Sequence, residues 1–321
     1  MIKVSVIIPN YNGKNYLKAC IDSVRAQEGV SFEMIIIDNA SQDSTYNWIS
    51  SYPDVIFKRL NQNYGFSKAV NEGIHLAQGD YVLLLNNDTV LEKDFLREIV
   101  KTIEEDEKIF GVSSKMIAYQ NRAIMDDAGD EYTLLGWTLK RGDGKKVEHY
   151  EKPCKVFSAC AGAALYRREV FKKIGEFDEQ FFAYMEDVDI SYRARIYGYY
   201  NVYCPKAKVY HIGSATSGSK YNEFKVKLAA RNNIYVPYKN MPFAQIIINF
   251  PFLISGIAIK WVWFAKKGFG KAYQEGIVEG LRKCRTLRKI PFKVENSLNY
   301  VRIEILLVIN IFRYVVEKLK K

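Results

Sequence analysis

Short apolar runs alternate with amphipathic stretches along the first hundred residues. Residues 3–9 (KVSVIIP), 33–38 (EMIIID), 55–60 and 81–85 (YVLLL) are brief and rich in β-branched or aliphatic side chains, so each predicts a strand. Between them, residues 14–27 place Leu17, Ile21 and Val24 on one helical face. Residues 44–51 and 66–77 predict two more helices, the second stopped by Gly79. Strands alternating with helices predict a parallel sheet with right-handed crossovers. Near-continuous apolarity within the strands predicts a sheet buried on both faces. A helix over 95–105 and a strand over 112–118 extend the series.

From about residue 125 to 153 the periodicity loosens into Gly, Asp and Lys, as expected of an excursion across one face. Order returns with a strand over 158–166, helices over 168–174 and 188–197, and a late strand over 201–210. The expected class is α/β, with a mixed, mainly parallel sheet in a domain over 1–238, its halves dividing near 120. After 238 the pattern changes. Residues 243–264 are long and apolar enough to approach a bilayer span, but Gln245, Asn249, Pro251 and Lys260 interrupt them. Residues 301–316 are again apolar, with Arg302, Glu304, Asn310 and Arg313 set in. Lys266, Lys267, Lys271 and the basic run 282–289 lie between. Apolar faces bordered by Lys and Arg suit helices lying in a membrane interface. The alternative is helices covered by the first domain or by a second copy in a homodimer.

Charge narrows the partners. With 47 Lys and Arg against 36 Asp and Glu, the net charge of +11 fits nucleic acid, anionic lipid or an anionic small substrate. The basic excess gathers beside apolar helices and does not interleave with aromatic platforms, which argues against nucleic acid. The 5 cysteines are odd in number and scattered without CxxC spacing, which indicates neither a zinc site nor a disulfide framework. A reducing, cytoplasmic setting is expected. Met1-Ile2-Lys3 leads straight into a strand pattern without a signal-peptide profile.

The candidate chemistry sits at strand ends. Pro9-Asn10-Tyr11-Asn12-Gly13, Asp38 to Ser44, Asn61 to Phe66 and Asn86-Asn87-Asp88 follow the first four strands. Open α/β sheets bind ligands beyond such carboxyl ends, and four polar ends together suit a nucleotide-sized pocket. Asp38 can accept a hydrogen bond from a base N–H, whereas Ser41, Asp43 and Ser44 also suit a helix cap. Asp88 suits a divalent cation held against phosphate; a plain turn is the alternative. Glu186, Asp187 and Asp189 form a second carboxylate cluster. Adjacent carboxylates raise one another's proton affinity, as a general base requires; a helix cap is again the alternative. Residues 214–220 (SATSGSK) are small and polar, as in a loop that closes over bound substrate. Ser214, Thr216, Lys220, Arg231 and Asn232 are candidates to meet acceptor or phosphate oxygens.

In this order, VSVIIPNYN, IIIDNASQDST, GFSKAVNEGI, LLLNND, AGAALYRREVFKKIGEFDEQFFAYMEDVDISYR and VYHIGSAT resemble glycosyltransferase family 2 over residues 3–236. The rhamnosyltransferase-like branch, which builds surface polysaccharides, is the most similar. The resemblance implies a Rossmann-like GT-A domain that binds a nucleotide-sugar, followed here by C-terminal amphipathic or apolar helices. It implies inverting transfer from a nucleotide-diphosphate sugar to a polyprenyl-linked or growing glycan; a base pocket that uses Asp38 fits uridine or thymidine, so a UDP- or dTDP-sugar, dTDP-rhamnose among them, is the expected donor. The setting implied is peripheral, on the cytoplasmic face of the cell membrane. Carried over by motif, Pro9, Asn10, Tyr11, Asn12 and Asp38 line base and ribose. Asn63, Gly65, Phe66, Asn86 and Asn87 approach nucleotide or sugar. Asp88 and His211 ligate Mg2+ or Mn2+. Asp187 is the base, with Glu186 and Asp189 orienting it or meeting the acceptor. The departure is Asn86, which stands where the family's metal motif has its first Asp. One carboxylate remains there, so the metal leans on His211. A catalytically degenerate scaffold is one alternative. Another is a sugar-nucleotide pyrophosphorylase, for whose Gly-rich, basic loop PNYNGKNY is a poor match.

Overall fold

In the first strand, β1 (Val4–Asn10), Val6 and Ile8 point to one face of the sheet and Ile7 to the other, and all three are fully buried. Helices cover both faces, which is why the run is apolar throughout. The computed structural model describes residues 2–50, 52–213 and 221–319. The chain continues through α1 (Lys14–Arg25), β2 (Phe32–Asp38), α2 (Thr45–Ile49), β3 (Val55–Arg59), α3 (Phe66–Leu76), β4 (Tyr81–Leu85), β5 (Thr89–Leu91), α4 (Phe95–Ile103) and β6 (Ile109–Ala118). The loosely patterned region holds short strands, β7 (Met125–Asp127), β8 (Asp130–Tyr132), β9 (Thr138–Lys140) and β10 (Cys154–Val156). Then follow β11 (Ala163–Arg167), α5 (Arg168–Ile174), α6 (Glu186–Ile196) and β12 (Tyr200–His211). The last part is helical: α7 (Glu223–Asn240), α8 (Phe243–Lys266), α9 (Gly270–Lys283) and α10 (Ser297–Leu319).

The main sheet runs β10-β12-β6-β11-β4-β1-β2-β3. Strands β3, β2, β1 and β4 are parallel, and Asn10 pairs in register with Asp38, so the carboxyl ends of β1 and β2 are level. Strand β11 runs antiparallel between β4 and β6, whereas β6 and β12 are parallel. The mixed, mainly parallel sheet expected from the sequence is therefore present. The strand expected over 158–166 starts later, at Ala163. The residues before it leave the sheet and wall a cavity.

Helices α7 and α9 were not legible in the sequence, and the expected boundary at 238/239 falls inside the last turn of α7. Packing continues across it. Tyr235, Val236 and Met241 join Val188, Tyr192 and Ile196 of α6 and Tyr300, Ile303 and Leu307 of α10 in one core. The polar residues that interrupt the apolar C-terminal runs find partners inside. Gln245 and Asn249 both donate to Glu304 (2.7 and 2.9 Å), Asn310 donates to Tyr132 O (2.8 Å) and Arg313 to Glu131 (2.9 Å). Gly256 lets α8 close on the turn after β8. A Cβ there would sit 2.2 Å from Leu135 O, and Trp137 donates to Gly256 O at 3.0 Å. The outer faces stay apolar: Phe243, Ile248 and Phe250 of α8 and Ile305, Phe312 and Val316 of α10 are exposed. Among the described residues, α8 alone is long and apolar enough to cross a membrane by length and composition.

Asp189 locks α6 to α7. Its fully buried carboxylate accepts from Arg193 (2.8 Å), Lys239 (3.0 Å) and Asn240 (2.8 Å). Burial would raise its pKa, but Arg193 and Lys239 outweigh burial and hold it below the usual range. Asp189→Ala leaves two buried cations without this counter-charge, and the expected loss is about 3 kcal/mol. The check is the midpoint of urea unfolding at unchanged slope; a shift worth under about 1 kcal/mol contradicts the anchoring role.

Candidate active site

One cavity of about 960 Å3 opens along the carboxyl edge of the parallel strands. Pro9, Asn10 and Tyr11 at the end of β1, Asn63, Gly65 and Phe66 at the start of α3, and Asn86, Asn87 and Asp88 after β4 line it. Glu186 and Asp187 at the start of α6 and His211 at the end of β12 complete the opposite wall. Residues drawn from both halves of the chain thus meet in one place.

A polar chain stiffens the strand edge. Asp38 accepts from Asn10 Nδ2 (2.9 Å) and Ser41 N (3.0 Å), and Asn10 Oδ1 accepts from Asn87 Nδ2 (2.6 Å). Asp38 is fully buried and stands behind the cavity wall, so it orients Asn10 and does not itself face the cavity. Asn12 lies on the rim, outside the lining, where its Oδ1 accepts from Gln42 N (2.8 Å). Asn39, which the sequence reading passed over, does line the cavity. Its Nδ2 donates to Gly65 O (3.0 Å) and sets the loop before α3. Gly65 has φ +88°, and a Cβ would meet Phe182 O at 2.4 Å, so only glycine lets that loop approach the far wall.

The far wall is strained. Phe182, Tyr184 and Met185 all have positive φ (63°, 70° and 67°) immediately before Glu186. Non-glycine residues hold such angles at a cost of about 1–3 kcal/mol each, when the surroundings force them. Here α7 supplies the force. Asn232 Nδ2 donates to Phe181 O (3.0 Å), Ala183 O (2.9 Å) and Tyr184 O (2.7 Å). Arg231 donates to Gln180 O (3.0 Å) and Phe181 O (2.8 Å). The sequence reading assigned Arg231 and Asn232 to phosphate; the structure spends both on carbonyls of this loop, and neither lines the cavity. Asp189, expected near the acceptor, likewise faces the α6–α7 lock. Ser214, Thr216 and Lys220 lie outside the described residues.

Burial raises the proton affinity of the paired carboxylates. Asp187 is pushed up to about 6, against hydrogen bonds from the backbone of Val188 and Ala161 that hold it down. Glu186 rises further, to about 8, through burial and then the Asp187 charge. Both members of the pair therefore hold a proton up to a higher pH than a free carboxylate does.

Asp88 and His211 face each other, with Nε2 3.3 Å from Asp88 Oδ1. A carboxylate oxygen and an imidazole nitrogen so placed form a donor pair that fits a divalent cation, better Mn2+ than Mg2+ because of the nitrogen. Behind them lies a group that sequence reading missed. Asp126 accepts from His211 Nδ1 (2.6 Å) and from Lys140 Nζ (2.7 Å). Burial would lower the His211 pKa, but Asp126 and then Asp88 outweigh it and raise it to about 9. Asp127, Asp130 and Cys160 cluster close by. Burial would lower the Lys140 pKa as well, yet Asp127 and Asp126 keep its ammonium charged, so the cluster already has a cation beside it. The signal that could have found Asp126 is the MDDAGD string, a carboxylate-dense break in a region of loose pattern.

Comparison with solved structures gives the class. A mannosyltransferase from Pyrobaculum calidifontis, solved with GDP-Man and Mn2+, aligns with 98% of this chain and 85% of its own at TM-score 0.54 and 14% identity, a likeness of fold alone. The fold is the GT-A type of nucleotide-sugar transferases. Residues 5–175 match glycosyl transferase family 2, and the chain belongs to that family. It is a glycosyltransferase. Glycosyltransferase RT0329 of Rickettsia typhi is 26% identical over 84% of this chain and 82% of its own length. The low-salt glycan biosynthesis hexosyltransferase Agl10 of Haloferax volcanii is 29% identical over 60% of this chain and 61% of its own. Other curated relatives are much longer, and the chain spans 25% of one and 15% of another.

Asn232→Ala removes the amide whose two N–H groups serve three carbonyls of the strained loop. The expected result is a loss of about 2 kcal/mol in stability with a fall in kcat that exceeds any change in donor KM. Thermal unfolding and steady-state kinetics check it; a stability loss with kcat intact would deny the loop its part in positioning Asp187.

Proposed function

We propose that this glycosyltransferase is inverting and metal-dependent, and moves a sugar from a UDP- or dTDP-sugar, dTDP-rhamnose among the candidates, to a polyprenyl-linked or growing surface glycan. The observation that carries the reading is the shared cavity, where four strand ends face the Asp88–His211 pair and the Glu186–Asp187 pair. Pro9, Asn10, Tyr11, Asn39 and Asn63 form the wall for base and ribose. Asp88 and His211 are the residues that would hold Mg2+ or Mn2+, which when bound offsets the charge growing on the leaving diphosphate. Asp187 takes the proton from the acceptor hydroxyl as its oxygen attacks the anomeric carbon, and the bond to the diphosphate oxygen breaks on the opposite face. Glu186, raised by burial and by the Asp187 charge, stands beside that base and orients it. Phe182, Phe224 and Met185 exclude water from the reacting carbon.

The experiment is nucleoside diphosphate release from UDP-, dTDP- and GDP-sugars with Mn2+, Mg2+ or EDTA, with glycan-bearing membrane extract as acceptor source. One donor is expected to turn over with metal. Asp187→Asn should lose about 100-fold or more in kcat, as removal of a general base does. Because the Asp187 pKa is raised to about 6, wild-type activity should fall as pH drops through that value, where the base becomes protonated. Turnover in EDTA, or an unaffected Asp187→Asn variant, would contradict the mechanism.

The same reading puts the enzyme at the cytoplasmic membrane face. Exposed Phe243, Ile248, Phe250, Trp261 and Phe312 belong to the same C-terminal region as Lys266, Lys267, Lys271, Arg282 and Arg288, a combination that favours anionic lipid. The full chain is expected to float with phosphatidylglycerol-containing vesicles and less with neutral ones. Failure to float, with a stable dimer in sedimentation, would assign the apolar face to a second copy instead.

A further inference from the structure

We infer that Asp126 is a positioning residue, whose carboxylate fixes the tautomer and aim of His211 and so sets the affinity of the Asp88–His211 pair for a divalent cation. The inference rests on the reading of Asp88 and His211 as metal ligands. The His211 ring stands between two carboxylates at unequal distances, Nδ1 at 2.6 Å from Asp126 Oδ2 and Nε2 at 3.3 Å from Asp88 Oδ1. A neutral imidazole has one N–H to give, and the nearer partner takes it. The Nε2 lone pair is then left facing Asp88 and the cavity, as a metal-binding imidazole requires. A carboxylate behind a ligating histidine also raises the basicity of the ring.

Asp126 is held for this task. Its other oxygen accepts from Lys140 Nζ at 2.7 Å, so both oxygens are engaged and the carboxylate does not turn to serve as a third ligand. Backbone pairing places it there. Strand β6 lies between β7 and β12: Ile117 pairs with Met125 on one side and Tyr210 on the other, and Met116 pairs with Asp127. The register shift between Met116 and Ile117 falls at Asp126, whose side chain reaches across β6 to His211 on β12. Asp126 and His211 are distant in sequence, and the strand between them is what joins them.

The test uses the full chain with UDP present. Free Mn2+ is counted by electron paramagnetic resonance during titration of wild type, Asp126→Asn and Asp88→Ala. Asp126→Asn is expected to bind Mn2+ about 10- to 100-fold more weakly, while UDP affinity in EDTA is unchanged. A second readout needs no variant. With 3 histidines in the chain, long-range 1H–15N spectra of the metal-free wild type, recorded above pH 9 so that the His211 ring is neutral, resolve the tautomer of each. His211 is expected to carry its proton on Nδ1. An Nε2–H tautomer, or Mn2+ affinity in Asp126→Asn equal to wild type, overturns the inference while the ligand assignment stands. Wild-type protein that takes up no Mn2+ overturns the ligand assignment and this inference together.

Discussion

Burial on both faces leaves the central strands β1 and β4 little outlet for polar side chains except their carboxyl ends, and the site depends on that constraint. Val6, Ile7 and Ile8 are fully buried, yet the same strand two residues later ends in Asn10, hydrogen-bonded to both its neighbours' polar ends. The level register of β1 and β2 brings Asp38 beside Asn10. From there the chain of hydrogen bonds reaches Asn87 and the turn that carries Asp88. No single strand end defines the cavity. The in-register parallel strands do, because they stop together.

The opposite wall is built by a different means. The three positive φ angles before Glu186 are maintained by Asn232 and Arg231 on α7, and α7 is fastened to α6 through Asp189 and Lys239. The same helix shares its core with α10. The C-terminal helices, with their outward apolar face, are thus one packed unit with the element that holds the strained loop before Glu186. The Gln245–Glu304–Asn249 contacts show why polar residues were retained in apolar runs: they pin α8 to α10 on the inner side and leave the outer side largely apolar.

Much of this was legible in the sequence, and for physical reasons. Strand ends are marked by an abrupt change from aliphatic to amide and carboxylate, so Asn10, Asn63, Asn87 and Asp88 could be read directly. Glu186-Asp187 and His211 lay in strings that resemble the family's. Asp126 and Lys140 could not be read so, because short strands in a Gly- and Asp-rich stretch have no periodicity. Only the pairing of β7 beside β6 brings Asp126 to His211. Arg231 and Asn232 misled for the opposite reason. Their types suit phosphate, but nothing in a linear sequence tells that carbonyls of residues 180–184 lie within their reach. Asp38 is intermediate: its position at a strand end was clear, while its enclosure by Asn10 and Ser41 is a property of three dimensions.

The central claim is that one cavity brings nucleotide, divalent cation and base together, with the cation between Asp88 and His211. Crystals grown with UDP and Mn2+, measured at the manganese absorption edge, test it most directly. The account predicts an anomalous peak bonded to Asp88 and His211 Nε2 and to the diphosphate oxygens, with Asp126 remaining on Nδ1. A peak seated instead among Asp127, Asp130 and Cys160, or UDP bound at the strand ends with no manganese beside it, would contradict the account.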